Sequence, residues 1–404
     1  MQQIQLPQGM KDTILNECEK KKYLQNTLEQ IFESFGYEEI ITPTIEYYET
    51  YENAFKNIQT TDMYKFFDEN GRILTLRTDM TVPIARVCAS KFKDSKPPFR
   101  YRYTSNVFKV RQKFAGKRSE VTDCGIELIG LDSKSDVQVL CCALEVMKNF
   151  KNYTLEIGNV QFFQAACKVV RLSTEEVNTL ANLIDKKSMV DLKVYLDSLY
   201  LSEKIVDFFM HLPFLCGDVN ILDEAYTYCF DDSLKDVLDS MKECIQSLKE
   251  LGYLENVTVD LGKVAHLDYY TGIIFEGYVS GVGTSILSGG RYDCLLKKFG
   301  RDLPACGFSV KLDPLIDYVD VQSKKKYKLY YPQDKQIEAM KQAKNLRKEG
   351  IVILEPSTNE SIYVEEVQGR YKHELIDCAH KGTFRKTNCC YVRRTWLWSR
   401  SFKR

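Results

Sequence analysis

Side chains that could hold a ligand are concentrated in one stretch of the chain, residues 267–293. Two tyrosines, Tyr269 and Tyr270, offer flat apolar walls with hydroxyl groups at their edges, which suits a small polar ligand. The glycines at 289–290 permit close approach of the backbone, and Arg291 can pair with a carboxylate. The residue pattern predicts a strand, a hairpin and a Gly-Gly turn that opens a helix. Paired tyrosines in strands more often pack in the core than bind a ligand, so this stretch alone does not decide between core packing and a binding site.

A second group of polar residues follows a predicted hairpin over 63–77. Asp79 and Thr81 lie just before a predicted helix. Their side chains could bind the ammonium and backbone groups of an amino-acid ligand. They could equally cap the helix, because acidic and hydroxyl side chains are the preferred N-terminal caps. Residue types alone leave both alternatives open.

The elements that must position these residues can be predicted from periodicity. Apolar residues at helical spacing predict a helix from about Asn16 to Phe35, ended by Gly36. A loop is predicted over 112–119. Residues 152–251 are mostly helical in pattern, and a strand at 257–261 resumes the sheet.

Composition excludes several broad classes of protein. The 404 residues suffice for one domain of roughly 300 residues and a smaller one. The 56 basic residues equal the 56 acidic ones, so no overall charge attracts nucleic acid or a membrane surface. The fourteen cysteines form no C-x-x-C pair, and no apolar run approaches transmembrane length. We therefore expect a cytoplasmic protein with reduced thiols, without a bound metal, a cofactor or a membrane span.

The motifs in combination are more specific than any one of them. Leu-Asp-Tyr-Tyr-Thr at 267–271, followed by Gly-Gly-Arg-Tyr-Asp at 289–293, resembles the histidine-recognition segment of histidyl-tRNA synthetases. It also resembles their non-synthetase relatives, the regulatory subunits of ATP phosphoribosyltransferase. Residues 16–46, 98–130 and 305–314 are similar to motifs 1, 2 and 3 of class II synthetases. The resemblance implies an α+β class II aminoacyl-tRNA synthetase-like fold: an antiparallel sheet flanked by helices.

The same resemblance implies a set of histidine-binding residues. They are Asp79, Thr81, Asp123, Glu127, Tyr269, Tyr270 and Arg291. Asp79 and Thr81 would contact the α-ammonium group and Arg291 the carboxylate, while the tyrosines would hold the ring near Glu127. Asp123 replaces a glutamine of the synthetases, and it could pair with an imidazolium or remain solvated.

Four positions depart from the synthetase pattern. Lys109 stands where synthetases carry an arginine that grips the α-phosphate, and Arg111 stands where a glutamate reads adenine. Ala265 replaces the arginine that activates the carboxylate of histidine. Pro314 replaces the arginine that clamps the γ-phosphate, and proline has neither charge nor backbone donor. These departures predict a histidine binder that has lost adenylation chemistry and has no catalytic residues.

The predicted organisation has three parts. A class II synthetase-like domain occupies 1–321 and contains a helical insertion over 152–251. Residues 322–369 form a small α/β unit that resembles a truncated anticodon-binding domain. The basic tail over 370–404 is interpreted as disordered, as a nucleic-acid or partner contact, or as an out-of-register sequence.

The resemblance implies a function that depends on partners. The chain would be required, with a short-form catalytic subunit of ATP phosphoribosyltransferase, for the first step of L-histidine biosynthesis. It would mediate feedback inhibition by L-histidine, form a homodimer through motif 1 within a hetero-oligomer, and not bind tRNA. The effector could occupy the synthetase-like pocket or a subunit interface. A working histidyl-tRNA synthetase and a stand-alone histidine-binding sensor remain as alternatives.

Overall fold

The computed structural model describes residues 5–54, 60–111, 118–264, 270–321 and 325–367. The chain divides into two compact units after Val319, and each unit is described separately below. The predicted basic tail over 370–404 lies outside the described residues. Among the described helices, none combines the length and apolar character needed to cross a bilayer.

The first unit is built on a nine-stranded, mainly antiparallel sheet. The strands of this unit are β1 (Glu38–Glu39), β2 (Ile45–Tyr47), β3 (Lys65–Phe67), β4 (Ile73–Leu76), β5 (Phe99–Phe108), β6 (Glu120–Ile129), β7 (Tyr153–Asn159), β8 (Cys216–Gly217), β9 (Val257–Asp260), β10 (Ile273–Val279), β11 (Leu287–Arg291) and β12 (Ala305–Lys311). The large sheet has the order β1-β5-β6-β12-β11-β10-β7-β9-β8, and β2, β4 and β3 form a small separate sheet. Among the described strand pairs of the large sheet, β1–β5 and β7–β9 are parallel and the others are antiparallel. The predicted fold class is confirmed.

Helices cover one face of the large sheet. The helices of the first unit are α1 (Asn16–Ser34), α2 (Tyr48–Ala54), α3 (Thr81–Ser90), α4 (Asp136–Met147), α5 (Val160–Val170), α6 (Thr174–Asp185), α7 (Met189–Ser198), α8 (Glu203–His211), α9 (Ile221–Tyr228) and α10 (Asp232–Glu250). In α1, Leu24, Leu28 and Phe32 recur every four residues and are fully buried against the sheet. Gly36, with φ of +81°, follows the end of α1 as predicted.

The opposite face of the sheet is covered only in part. Tyr101 and Tyr103 of β5 pack with α3 and with Tyr292 and Leu295, which form a second apolar cluster at one end. Alternation along the paired strands places polar residues and glycines on the rest of this face. This partly open face contains the candidate site.

The predicted helical insertion over 152–251 is wrong at its start. Residues 153–159 form β7, which pairs with β10 inside the large sheet. Leu155 and Ile157 alternate with the less buried Thr154 and Glu156, which is the two-residue period of a strand. The helices begin at Val160.

The second unit is a small α/β layer. It contains β13 (Lys326–Tyr331), α11 (Gln336–Leu346), β14 (Ile351–Pro356) and β15 (Tyr363–Val367). β13 and β14 are parallel, with α11 in the connection between them, and β15 pairs antiparallel with β13. Leu329 and Tyr331 pack with Ala339 and Ala343 of the helix in the small core of this unit. The β-α-β arrangement therefore agrees with the sequence pattern of this segment.

Candidate functional site

Four glycines lie on the partly open face of the sheet, on four different strands. They are Gly125, Gly158, Gly290 and Gly307. A Cβ atom on Gly307 would lie 2.0 Å from Glu127 Oε2, and one on Gly125 would lie 2.6 Å from the Tyr103 hydroxyl oxygen. Because real side chains cannot approach so closely, the absence of a Cβ at these positions gives the polar groups above the sheet their space. The glycines form the floor of the site.

The Gly289-Gly290 pair does not form the predicted turn that opens a helix. Both residues lie inside β11, paired with β10 on one side and β12 on the other. A Cβ on Gly289 would lie 2.4 Å from the Gly307 carbonyl oxygen, and one on Gly290 would lie 2.5 Å from the Ile273 carbonyl oxygen. The pair therefore serves close packing within the sheet, which a local sequence pattern cannot distinguish from a turn.

Glu127 is the buried carboxylate at the centre of the site. Its side chain is on β6 and the residue is 1 % exposed. The Thr81 hydroxyl donates to Glu127 Oε1 at 2.7 Å, and the Tyr292 hydroxyl donates to Oε2. Both oxygens are thus oriented by protein donors, while each carboxylate oxygen retains a further lone pair. The group is suited to accept a hydrogen bond from a ligand N–H.

Burial also makes the Glu127 carboxyl sensitive to pH. It raises the pKa from 4.5 to about 7, against the opposing effect of the hydrogen bonds from Tyr292 and Thr81. A folded-state pKa above the unfolded value means that stability falls as pH rises from about 4.5 to about 7. The loss due to this group amounts to about 3 kcal/mol at pH 7.5.

We therefore expect the Glu127→Gln variant to lose less stability than the natural chain between pH 5 and pH 7.5. Glutamine cannot ionise, so the contribution of this position disappears, while nearby Asp79 and Asp123 titrate in both proteins. Urea unfolding at the two pH values measures the difference. Identical pH dependence in the two proteins would show that Glu127 does not titrate in this range.

Asp79 caps helix α3. Its Oδ1 accepts from the backbone N–H of Val82 at 2.9 Å, and its Oδ2 accepts from the Thr78 hydroxyl at 3.2 Å. The capping alternative weighed from the sequence is therefore present in the structure. Burial raises the pKa of Asp79, and the nearby positive charge of Lys109 acts against that shift. A carboxylate that caps a helix can accept further hydrogen bonds, so the contact to a ligand ammonium group stays a prediction.

Asp123 lies on the same strand and face as Glu127. Its Oδ1 is buried and has no hydrogen-bond partner among the described residues. Burial raises the pKa of Asp123 to about 6, while the charges of Lys109 and Lys311 oppose the rise. A buried carboxylate oxygen without a partner carries a cost that a ligand donor would remove.

Arg291 is committed to protein groups. It is 3 % exposed, and its five N–H groups donate to four neighbouring residues. Nε and Nη2 donate to Asp136. Nη1 donates to Asp293 and to the carbonyl oxygen of Leu131, and Nη2 also donates to the carbonyl oxygen of Asp132. The carboxylate that Arg291 binds in the structure belongs to the protein, whereas the predicted partner was the carboxylate of a ligand. A contact between Arg291 and a ligand stays a prediction that would require these bonds to break.

The two predicted tyrosines have different standing in the structure. Tyr270 is partly buried and packs against the apolar cluster that contains Tyr101 and Tyr292. Its ring lies beside Gly290, where an added Cβ would come within 3.0 Å of Cε1. Tyr269 lies outside the described residues, as does Ala265. Their predicted roles remain predictions.

Two residues of the site are not among the predicted ligand contacts. Tyr292 donates to Glu127, and Lys311 lies opposite Asp123 on the neighbouring strand β12. The signal for Tyr292 was its place within the Gly-Gly-Arg-Tyr-Asp motif. The sequence places Lys311 within residues 305–314, which resemble motif 3, and the strand register is needed to place it beside Asp123.

Comparison with known proteins places this chain in a family. A protein-family model described as histidyl-tRNA synthetase matches residues 9–315. The ATP phosphoribosyltransferase regulatory subunit of Clostridium novyi (strain NT) is 40% identical over 316 residues, which cover 77% of this chain and 75% of that protein. The chain belongs to the ATP phosphoribosyltransferase regulatory subunit family. The protein of the same description from Acetivibrio thermocellus is 34% identical and covers 87% of this chain and 86% of its own length.

Solved structures agree with the membership of this family. A structure from Bacillus halodurans, described as an ATP phosphoribosyltransferase regulatory subunit/histidyl-tRNA synthetase, superposes with a TM-score of 0.80 at 32% identity. The match covers 88% of this chain and 94% of the Bacillus halodurans chain. Histidyl-tRNA synthetase from Nostoc sp. PCC 7120 has a TM-score of 0.74 at 22% identity, which supports the fold alone.

Proposed function

We propose that this chain is a non-catalytic regulatory subunit that acts with the short-form catalytic subunit of ATP phosphoribosyltransferase. Together they would carry out the first step of L-histidine biosynthesis, and L-histidine would inhibit the assembly. The observation that carries the proposal is the family of relatives that bear this name, combined with a site rich in buried carboxylates. Histidine would act by binding one state of the assembly more tightly than the other.

The proposed absence of adenylation chemistry is supported by the pairing of cations near the motif 3 region, where a nucleotide phosphate would need them. Pro314 lies in a short 3₁₀ helix, Asp313–Tyr318, at the position that resembles the phosphate clamp of motif 3. Beside it, Asp313 accepts from Lys21 at 3.1 Å and from Arg118 at 2.9 Å. These two cations are engaged with a protein carboxylate. This arrangement favours a structural role for the motif 3 region over the binding of a nucleotide phosphate.

The proposed histidine site uses the two carboxylates of β6. Asp123 and Glu127 are four residues apart on one strand, so their Cα atoms are about 13 Å apart. With hydrogen bonds of about 3 Å at each end, one amino acid fits between the two side chains. The ring N–H would donate to Glu127, and the ammonium group would lie between Asp79 and Asp123.

A homodimer through the motif 1 region is supported by an apolar surface. Large apolar side chains are exposed around the small sheet, namely Ile41, Ile45, Tyr47, Phe66, Phe67 and Ile73. Ile41 is 81% exposed and Phe67 is 72% exposed. The strand register places Ile45, Tyr47 and Phe66 on one face of the small sheet, and exposed apolar side chains on a shared face are typical of association sites in soluble proteins. A second copy of the chain is the occupant we propose for it.

We expect the Ile45→Asp variant to be monomeric where the natural chain is dimeric. A carboxylate at the centre of an apolar interface would be buried without a partner. Sedimentation velocity measures the difference, and Val194→Asp is the matched control because Val194 is an exposed apolar residue on α7. Dimers of the Ile45→Asp variant, or monomers of both variants, would refute this interface.

Two experiments separate the proposal from its rivals. A working synthetase would exchange pyrophosphate into ATP in the presence of histidine, and we expect no exchange by this chain. A stand-alone sensor would bind histidine but would not assemble with a short-form catalytic subunit. We expect light scattering of the mixed subunits to detect a hetero-oligomer. Exchange activity, or separate elution of the two chains, would contradict the proposal.

A further inference from the structure

An amino-acid ligand in this site needs a cation for its carboxylate. The five N–H groups of Arg291 are committed to Asp136 and its neighbours. Position 265, where the synthetases carry an arginine, is alanine. A ligand carboxylate must therefore find its partner elsewhere on the sheet.

Three cations converge at the Asp123 end of the site. Lys311 is the direct neighbour of Asp123 across the β6–β12 pair. Lys109 and Arg111 follow the end of β5, which pairs with β6 on its other side, and the backbone N–H of Lys109 donates to the Ser119 carbonyl at 2.8 Å. The two neighbouring strands thus bring cations to Asp123 from both sides.

These cations keep donor groups that form no hydrogen bond with other described residues. Arg111 Nε is buried without a hydrogen-bond partner in the described chain, and the charge of Lys109 acts on Asp79 and Asp123. The Lys311 ammonium group donates to the Ser285 carbonyl oxygen at 3.2 Å, which uses one of its three donors. Burial lowers the pKa of Lys311, and the charges of Lys109 and Arg111 lower it further. An anion bound among the three would relieve this repulsion.

We propose that Lys109, Arg111 and Lys311 form an anion subsite that holds the carboxylate of the amino-acid effector. The proposal rests on the proposed function, because it assumes that histidine occupies this pocket. Asp123, with its unpartnered Oδ1, receives the adjacent ammonium group. The subsite thereby provides a partner for each charge of the amino-acid backbone, in a chain that lacks the synthetase arginine at position 265.

The test compares L-histidine with histamine, which has the same ring and amine but no carboxylate. Calorimetry on the natural chain should show tighter binding of histidine. Lys311→Met and Arg111→Met should each weaken histidine about 10-fold or more while leaving histamine unchanged, since a hydrogen bond to a charged group contributes about 1.5–3 kcal/mol. Lys109→Met, at an exposed side chain, supplies a variant whose folding is not at risk. Lys148→Met, at an exposed lysine of the opposite helical layer, is the matched control.

Each outcome has a distinct meaning. Equal losses for histidine and histamine, or unchanged histidine binding in all three variants, would overturn the anion subsite. Failure of the natural chain to bind either ligand would instead refute the proposed histidine site. Inorganic phosphate is a second probe, because the same cations could take a phosphate. Weak competition that the Lys311→Met variant abolishes supports the subsite, whereas phosphate binding tighter than histidine overturns its assignment to a carboxylate.

Discussion

Replacing Arg291 with methionine is expected to lower the free energy of unfolding by about 3–5 kcal/mol. The substitution leaves Asp136, itself 3 % exposed, as a buried carboxylate without its cation. It also removes the donors to the carbonyl oxygens of Leu131 and Asp132, so the segment that leads into α4 loses its attachment to β11. Urea unfolding monitored by circular dichroism measures the loss.

An exposed ion pair provides the control for Arg291. Lys193 and Asp197 form a pair on the surface of α7, and Lys193→Met should change stability by less than about 0.5 kcal/mol. If Arg291 served only to bind a ligand, the result would be the reverse of our expectation. In that case Arg291→Met would unfold like the natural chain and would bind histidine weakly.

The Glu127→Gln variant is expected to lose histidine binding by about 100-fold or more. Loss of a buried, hydrogen-bonded charge at an interface costs about 2–5 kcal/mol, and each 1.4 kcal/mol is a factor of ten. Glutamine matches glutamate in shape, but it carries no charge and has one acceptor oxygen in place of two, so a ligand N–H would meet a neutral group in place of a carboxylate. Isothermal titration calorimetry at pH 7.5 measures the affinity.

Stability and binding should change in opposite directions at Glu127. At pH 7.5 the natural carboxylate is ionised at a cost to stability, so the glutamine variant should be at least as stable. Loss of binding in a stable variant would exclude misfolding as the cause. Glu145→Gln is the control, because Glu145 lies on α4, in the helical layer behind the sheet, and pairs with Lys148. Unchanged histidine affinity in Glu127→Gln would remove Glu127 from the site.

Local patterns predicted the elements whose signals lie within a few residues. Helix α1 ends within one residue of its predicted limit, because apolar spacing and Gly36 mark it. The paired strands β5 and β6 were anticipated through the resemblance of residues 98–130 to motif 2, which consists of two antiparallel strands joined by a loop, and they are confirmed. The short strand β7 was not anticipated, because its seven residues with alternating burial precede a much longer helical pattern. Its neighbour β10 is more than a hundred residues away.

The chemistry of the site depends on contacts that the sequence does not reveal. Arg291 was expected to bind the carboxylate of a ligand, and its partner in the structure, Asp136, depends on the packing of α4 beneath β11. Gly290 was assigned to a turn because the neighbours that exclude its Cβ lie on another strand. The placement of Lys311 beside Asp123 required the register of β12 on β6. Tertiary neighbours therefore determine which motif residues are free to bind a ligand.

The most direct test of the proposed function is an assay of phosphoribosyl-ATP formation. The purified chain would be mixed with a short-form catalytic subunit, ideally the one from its own genome, with and without L-histidine. We expect activity that requires both chains and that falls when histidine is added. No activation by this chain, together with histidine-dependent exchange of pyrophosphate into ATP by this chain alone, would contradict the proposed function and favour a working synthetase.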